Sequence, residues 1–331
     1  AKALDREGRI RFPKREFDEK IGRYPITISL DEIYKKLENL SLAFYDLSIE
    51  RLSAQFRLPD GTRIEKKDPT QVENLKNLVK TIFIINLFKR LESSYAAFGE
   101  TLNRMLSYIR AAKHYATHHS IFIPPKMRGD ILNLFPDMEE TEDEIPFDRL
   151  PAPEELFSKP RYKGLYNECR LSKQEAEEFV DKCSKDEEAI ESLLRMLPNH
   201  DEKYFLLERR LQQIMKQIKE PNGVIIFTQY ADTAHYLYRR LKASFSRVML
   251  VTGAGGYNDK GEKALEDHIV RRFQKVGGLL ISTDVLSAGQ NLQNAQYVAN
   301  YDFPWNPVVL IQRVGRIDRI GSNYDIVYLI N

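Results

Sequence analysis

Past residue 222 the apolar positions gather into five short unbroken runs: "VIIF" (224–227), "VMLV" (248–251), "LLIS" (279–282), "YVANY" (297–301) and "IVYLI" (326–330). None alternates apolar with polar residues, so strands formed from them are buried on both faces. Most of the gaps carry apolar residues every three or four positions, in "ADTAHYLYRRL" (231–241), "LEDHIVRRFQ" (265–274) and "PVVLIQRVGRIDRI" (307–320). That is the spacing of amphipathic helices. Strand and helix in alternation, with doubly buried strands, predict an α/β fold: a parallel sheet with helices on both faces. In such a sheet the functional loops leave the carboxyl ends of the strands. Thr228 and Gln229, Thr252 and Gly253, and Thr283 and Asp284 occupy three of those ends.

The first 200 residues read differently. After a charged stretch broken by Pro13 and Pro25, Ser29 and Glu32 have the spacing of a helix capping box, followed by Ile33, Leu37 and Leu40. Asp31 and Glu32 mimic a Mg²⁺-holding acidic pair, but no phosphate loop precedes them, and the cap is the better reading. "FRLPDGTRIEKK" (56–67) suggests a hairpin or exposed loop at Asp60 and Gly61. From Thr70 to His119, Val72, Leu75, Val79, Ile82, Leu87, Leu91, Leu102, Met105 and Ile109 predict a long helical segment, with Gly99 as its expected interruption. Between 120 and 200, prolines surround the acidic run "DMEETEDE" (137–144), which predicts an insertion with a few short helices. From 201 the apolar stripe Tyr204, Leu207, Leu211, Ile214 and Ile218 marks one more amphipathic helix.

Composition narrows the function less than the pattern does. A net charge of +2, from 50 basic and 48 acidic residues, gives no global field, so any nucleic-acid surface is local. Cys169 and Cys183 are the only cysteines and lack CxxC spacing, which suits a reduced intracellular protein. The apolar run "IFIINLF" (82–88) is far short of the roughly 20 residues of a membrane span, so no membrane association is expected. The chain starts without Met and stops inside "DIVYLIN", as a piece of a longer protein would.

The chemistry concentrates in "LIQRVGRIDRIGS" (310–322). Arg316 and Arg319 lie three apart, a spacing that puts both on one face of a short helix, where they can point at one target. A guanidinium is a planar fork that grips phosphate with two parallel hydrogen bonds and never deprotonates. Gly315 removes a side chain where close approach would be needed. The alternative is a basic surface face neutralised by Asp318.

"IIFTQYADTAHYLYRRL", "LLISTDVLSAGQNLQ" and "QRVGRIDRIGS" resemble motifs IV, V and VI of the second RecA-like domain of superfamily-two helicases. "NYDFPWNPVVLIQRVGRIDRIG" is most similar to bacterial Swi/Snf-like ATPases, including the group that recycles RNA polymerase. "FKRLESSYAAF" (88–98) and "RFPKRE" (11–16) also resemble this group. The resemblance is strong over 222–331, weak over 1–120, and absent over 120–200. It divides the chain into a linker following an absent first motor domain (1–69), a long helical segment (70–119), the Pro-rich acidic insertion (120–200) and the RecA-like helicase C-terminal domain (201–331). Glycine stands at 315 where Swi/Snf-type proteins usually carry Asp, and Ala288 replaces a common Glu or Gly.

The resemblance implies that Arg316 and Arg319 are arginine fingers for the γ-phosphate of ATP, which the first motor domain would hold together with Mg²⁺. Gln312 would couple the nucleotide to motif V, and Gly289, Asn291 and Gly315 would lie near the ribose and phosphates. Thr228, Gln229, Thr252, Gly253, Thr283 and Asp284 would touch a nucleic-acid backbone or brace motif V. The implied partners are nucleic acid, with duplex DNA favoured, the first RecA-like domain of the same full-length chain, and a protein complex such as RNA polymerase. The implied location is cytoplasmic, at the bacterial nucleoid. An RNA helicase lobe and a degenerate protein-docking module are the rival readings. "GAGGYNDKGEK" (253–263) has Glu262 where a phosphate loop needs Lys, so this chain alone is not expected to turn over ATP. No metal site is expected: His114 and His118 are four apart, but no acid or cysteine accompanies them, and a polar helix face explains them better. Trp305 is expected to pack its loop against the domain.

Overall fold

The computed structural model describes residues 13–18, 25–52, 69–122, 169–218, 221–286, 292–318 and 324–330. The chain divides into two compact units: residues 1–26, 90–97 and 198–331, and residues 27–89 with 98–197.

The first unit is built on one sheet. All five apolar runs form parallel strands: β4 (Gly223–Phe227), β5 (Val248–Thr252), β8 (Gly278–Ser282), β9 (Ala295–Asn300) and β10 (Ile326–Ile330). Three shorter strands extend it: β1 (Lys14–Phe17) at one edge, and β6 (Gly255–Tyr257) with β7 (Lys263–Ala264) at the other, in the order β1-β10-β9-β4-β8-β5-β6-β7. Because successive side chains of a strand face opposite ways, the sheet feeds two cores. Val224, Ile226, Leu250, Ile281 and Ala299 pack with Tyr204, Leu207, Leu211, Ala234, Leu237 and Leu241. Ile225, Phe227, Met249, Val251, Leu280 and Val298 pack with Ile269, Val270, Phe273, Val314 and Ile317. This is the α/β arrangement, with helices on both faces, that the pattern of apolar runs predicts.

At Gly277 (φ 67°) and Gly278 (φ 99°) the chain turns from helix into β8 through left-handed backbone that side chains avoid. A Cβ on Gly278 would also sit 2.5 Å from the Arg247 carbonyl oxygen.

Three features of this unit differ from the sequence reading. Lys14, Arg15 and Glu16 of "RFPKRE" enter an edge strand of the sheet, with Arg15 paired to Val327 in parallel register. The glycine-rich stretch folds into an antiparallel hairpin, β6 on β5 and β7 on β6. The helix carrying motif VI spans only Pro307–Val314. Gly315 closes it, donating its N–H to Ile311 O (2.9 Å), and residues 316 and 317 follow with three-residue turns, donating to the carbonyls of Arg313 and Val314. Ile317, fully buried in the second core, draws the turn onto the sheet. Arg316 therefore stands on a turn and not on a helix.

The second unit is helical. Its helices are α1 (Leu30–Glu38), α2 (Ala43–Leu52), the greater part of α3 (Pro69–Ser93) and α4 (Tyr95–His119), and α5 (Lys173–Met196). Ser29 caps α1 by accepting from the Glu32 N–H (3.3 Å), one half of the box that its spacing predicts. Ser172 and Glu175 form a reciprocal capping box on α5. Asp186 of α5 caps α2 from 145 positions away, accepting from Ser41 N (2.7 Å), Ser41 Oγ (2.9 Å) and Ala43 N (3.0 Å). β2 (Ile121–Phe122) and β3 (Cys169–Arg170) pair antiparallel. Burial pushes the Cys183 thiol up to about 12, which leaves it unreactive.

The long helical segment breaks at Ser94, not at Gly99, which lies inside α4 against Leu197. The expected short helices of 120–200 give way, over 173–196, to a single 24-residue helix. Its charged face masks the apolar repeat Phe179, Cys183, Ile190, Leu193, which is buried. The loop or hairpin expected at 56–67 lies outside the described residues.

Candidate functional site

The remaining helices of the first unit are α6 (Glu202–Gln217), α7 (Ala231–Ser244), α8 (Glu266–Val276) and α9 (Pro307–Val314). Parallel pairing aligns the carboxyl ends of the central strands: Phe227 is opposite both Ser282 and Asn300, and Val251 is opposite Ser282. Thr228 and Gln229, Thr252 and Gly253, Thr283 and Asp284, and Tyr301 and Asp302 therefore leave the sheet along one rim.

The rim is organised by two residues that the sequence reading passed over. Arg313, on α9, is buried with its side chain 2% exposed. It forks onto Asp284, Nε to Oδ1 at 2.6 Å and Nη2 to Oδ2 at 3.0 Å. Its Nη1 donates to Asn300 Oδ1 (3.2 Å) and to the Asp302 carbonyl (3.0 Å), and the guanidinium lies over the Phe227 ring. One side chain thus ties the ends of β8 and β9 to the helix that precedes Arg316. A buried charge persists only when paired and hydrogen-bonded, and Arg313 meets both conditions.

Asp302 is the second organiser. Its Oδ2 accepts from Ser93 Oγ (2.6 Å) and Thr228 Oγ1 (2.5 Å), and its Oδ1 accepts from Gln229 N (2.8 Å). Ser93 Oγ lies 2.7 Å from Thr233 Oγ1, which lies 2.9 Å from Ser94 Oγ. Each hydroxyl has one proton. Ser93 gives its proton to the carboxylate, so Thr233 donates to Ser93 and Ser94 donates to Thr233. The chain of donors runs one way, toward Asp302. Lys203 closes the end of α3, donating to the carbonyls of Glu92 and Ser93 (2.8 Å each) and lying over the Tyr301 ring. Burial pushes its ammonium down to about 8, against the pull of Asp302, Asp201 and Glu92.

The expected contact residues separate into two groups. Thr228, Thr252 and Thr283 are 0%, 5% and 3% exposed, so their hydroxyls face the fold and not the rim. Thr228 braces Asp302, and Thr252 Oγ1 donates to Gly255 O (2.9 Å). Thr283 Oγ1 is buried with no hydrogen-bond partner among the described residues. Gly253 and Asp284 are exposed and Gln229 half-buried, so these three supply what the rim offers from the expected set. Gln312 is exposed on α9, and Arg316 is half-buried on the turn after Gly315. Gly289, Asn291 and Arg319 lie outside the described residues.

Trp305 corrects an expectation: it is 70% exposed, and Phe303, Val308 and Ile311 beside it are 47%, 50% and 65% exposed. Pro304 beside Trp305 is buried, so the loop is anchored at the proline while most of the indole faces solvent. The His114 and His118 rings lie 4.7 Å apart, tilted by 52°, and no group of three or more His, Cys, Asp or Glu among the described residues could hold a metal. The hairpin at 255–264 leads into α8, whose first turn carries Glu266 and Asp267 without a side-chain cap. Two carboxylates at that amino end disfavour a phosphate there.

Arg313 and Asp302 were missed because their sequence signal is weak. Arg313 sits between Gln312 and Val314 in a run already assigned to phosphate contact, and Asp302 lies one residue past an apolar strand. Ser93 and Thr233 are ordinary helix residues until the sheet brings them together.

A model of the helicase conserved C-terminal domain matches residues 207–321. The chain is 30% identical over 311 residues to a Bacillus subtilis (strain 168) protein named uncharacterized ATP-dependent helicase YqhH, covering 92% of this chain and 50% of that one. It is 29% identical over 140 residues to the RNA polymerase-associated protein RapA of Vibrio parahaemolyticus, covering 41% of this chain and 14% of RapA. Among solved structures, domain 2 of the DEAD-box helicase Mss116p bound to an RNA duplex is 26% identical, over 39% of this chain and 50% of that chain, with a TM-score of 0.31. The chain thus spans half the length of YqhH and a smaller share of RapA. Residues 207–321 are a helicase conserved C-terminal domain of the superfamily-two kind.

Proposed function

We propose that this chain is the second motor lobe of an ATP-driven translocase acting on duplex nucleic acid, DNA in the first instance. Arg316, with Arg319, donates to the γ-phosphate of ATP bound mainly by another lobe, where Mg²⁺ neutralises phosphate charge. The residues here fit one side of a triphosphate. Gln312 is exposed, and Gly315 carries no side chain on the turn that holds Arg316. A guanidinium aimed at charge that develops in the transition state lowers the barrier without reorganising, and a finger of this kind is worth about 10³–10⁵ in rate.

One observation carries the reading: Arg313 is buried and forked onto Asp284 while also holding the end of β9. Any shift of the turn at 315–318 is felt at Asp284, the rim residue next to Thr283, so nucleotide state and strand contact are linked mechanically. Gln229, Gly253 and the backbone at 283–284 would meet the phosphates of one strand, which positions a strand without reading its sequence. Asp284 needs its neutralising partner for that role, because a bare carboxylate repels phosphate. Phe303, Trp305, Val308 and Ile311 form an apolar strip beside Gln312, suited to the facing lobe. The similarity to RapA supports RNA polymerase as a candidate protein partner.

The test is ATP hydrolysis by the protein that carries both lobes, with duplex DNA, single-stranded DNA or RNA added. Stimulation by duplex DNA, lost in Arg316→Ala, is expected. Turnover unchanged in Arg316→Ala would end the finger reading, and stimulation by RNA alone would replace DNA with RNA.

A further inference from the structure

Strand β1 lies at the edge of the sheet, yet it is fastened at both ends. Lys14 N donates to Asp325 O (2.8 Å) and Asp18 N to Leu329 O (2.7 Å). The Asp18 carboxylate is clasped by Arg210 of α6, through Nε at 2.7 Å and through Nη2, with side chains 3% and 7% exposed. Arg210 is steadied in turn by Gln213 Oε1 (2.9 Å).

From this fixed strand Arg15 reaches Asp318, donating from Nε (2.5 Å) and Nη2 to the same oxygen, Oδ2. Asp318 lies two residues past Arg316. Its side chain is 3% exposed, and its Oδ1 is buried and accepts no hydrogen bond among the described residues. A buried carboxylate deprived of its cation moves toward water, because burying an unpaired charge costs far more than a surface adjustment. The turn it would pull on carries the bonds Arg316 N to Arg313 O (3.2 Å), Ile317 N to Val314 O (3.1 Å) and Asp318 N to Val314 O (3.0 Å), so a shift of Asp318 is passed directly to its backbone.

We propose that Arg15 is a positioning residue, and that β1 braces the motif VI turn by neutralising Asp318 and so fixing where Arg316 stands. Arg15 touches neither nucleotide nor nucleic acid in this account; it acts through Asp318. The residue is half exposed, so it holds a buried charge from outside, and a movement of β1 along the sheet edge would be transmitted to the turn.

Amide hydrogen exchange on the 331-residue chain tests this without reference to turnover. In Arg15→Ala, the amides of Arg316, Ile317 and Asp318 are expected to exchange about tenfold faster or more, while those of β4 and β8 keep their wild-type rates. Arg15→Lys should recover part of the protection, since an ammonium restores the charge but not the fork. Unchanged exchange at 316–318 would overturn the proposal. So would acceleration by one common factor across β4 and β8, or a lysine variant no better than alanine. In the protein that carries both lobes, Arg15→Ala should lower kcat by roughly ten- to hundredfold, the loss expected from about an ångström of misplacement, with KM for ATP within about twofold. An unchanged kcat would overturn the link to turnover. That link rests on the finger reading, and the two fail differently: an inert Arg316→Ala removes the finger, whereas an inert Arg15→Ala beside an inactive Arg316→Ala removes only the brace.

Discussion

Arg313 in the sheet unit and Arg110 in the helical unit are both paired with carboxylates, but at opposite depths. Arg313 is 2% exposed and holds Asp284, Asn300 and the Asp302 backbone together. Arg110 is 37% exposed and meets Glu187 (2.7 Å) and Glu191 (2.6 Å) on the surface of α5, where Lys113 joins Glu187. Water reaches the Arg110 guanidinium itself, whereas at Arg313 it reaches only the Asp284 carboxylate and not the guanidinium, Asn300 or Asp302. The same pair of charges is therefore adhesive in one unit and architectural in the other. Core packing of Phe83, Phe98, Phe122 and Phe179 carries the helical unit with little help from charge. The sheet unit concentrates its buried polar groups at one rim, where ligands of such folds bind.

The comparison can be broken by four measurements. Arg313→Ala should cost about 3–5 kcal/mol in denaturant unfolding, because it leaves Asp284 and Asp302 without their cation. A loss near that of a surface pair would show that water reaches the site. Ser93→Ala removes one donor from buried Asp302 and should cost about 1–3 kcal/mol; combined with Thr228→Val, the two losses should not add, since both donate to one oxygen.

Lys203 gives a pH signature. Its folded value is held at about 8, below the ordinary 10.5, so between those values an unfolded lysine still holds the proton that the folded chain has released. Stability contributed by this side chain rises with pH across that window, by up to about 1.4 kcal/mol per pH unit. Thermal melts of wild type and Lys203→Met should diverge in favour of wild type from pH 8 to 10, and parallel curves would count against a buried ammonium. Arg110→Ala, the smallest effect, should cost at most about 1 kcal/mol and less in high salt.

The parallel sheet was legible because its strands are continuous apolar runs, and little else produces five such runs with helices between them. Strand β1 was not, since "KREF" has no apolar core and is held by the backbone of β10 and the grip of Arg210 on Asp18. The end of α9 was also hidden. Periodicity continues through Ile317, but Ile317 is buried from a turn, and the same spacing serves both conformations. Of the candidate site, the rim could be read from strand ends. Whether a threonine there faces solvent or a carboxylate depends on Asp302, 74 residues from Thr228. Arg316 and Gln312 became candidates by resemblance, whereas the Arg313–Asp284 fork and the Arg15–Asp318 pair follow only from packing.

The edge position of β1 also bears on solubility. A chain shortened past residue 18 would uncover β10, whose Val327 and Leu329 are buried and whose backbone N–H and C=O groups would have no neighbour along that side. An exposed apolar edge strand recruits other strands, so such a shortened protein should self-associate even with every residue of the rim intact.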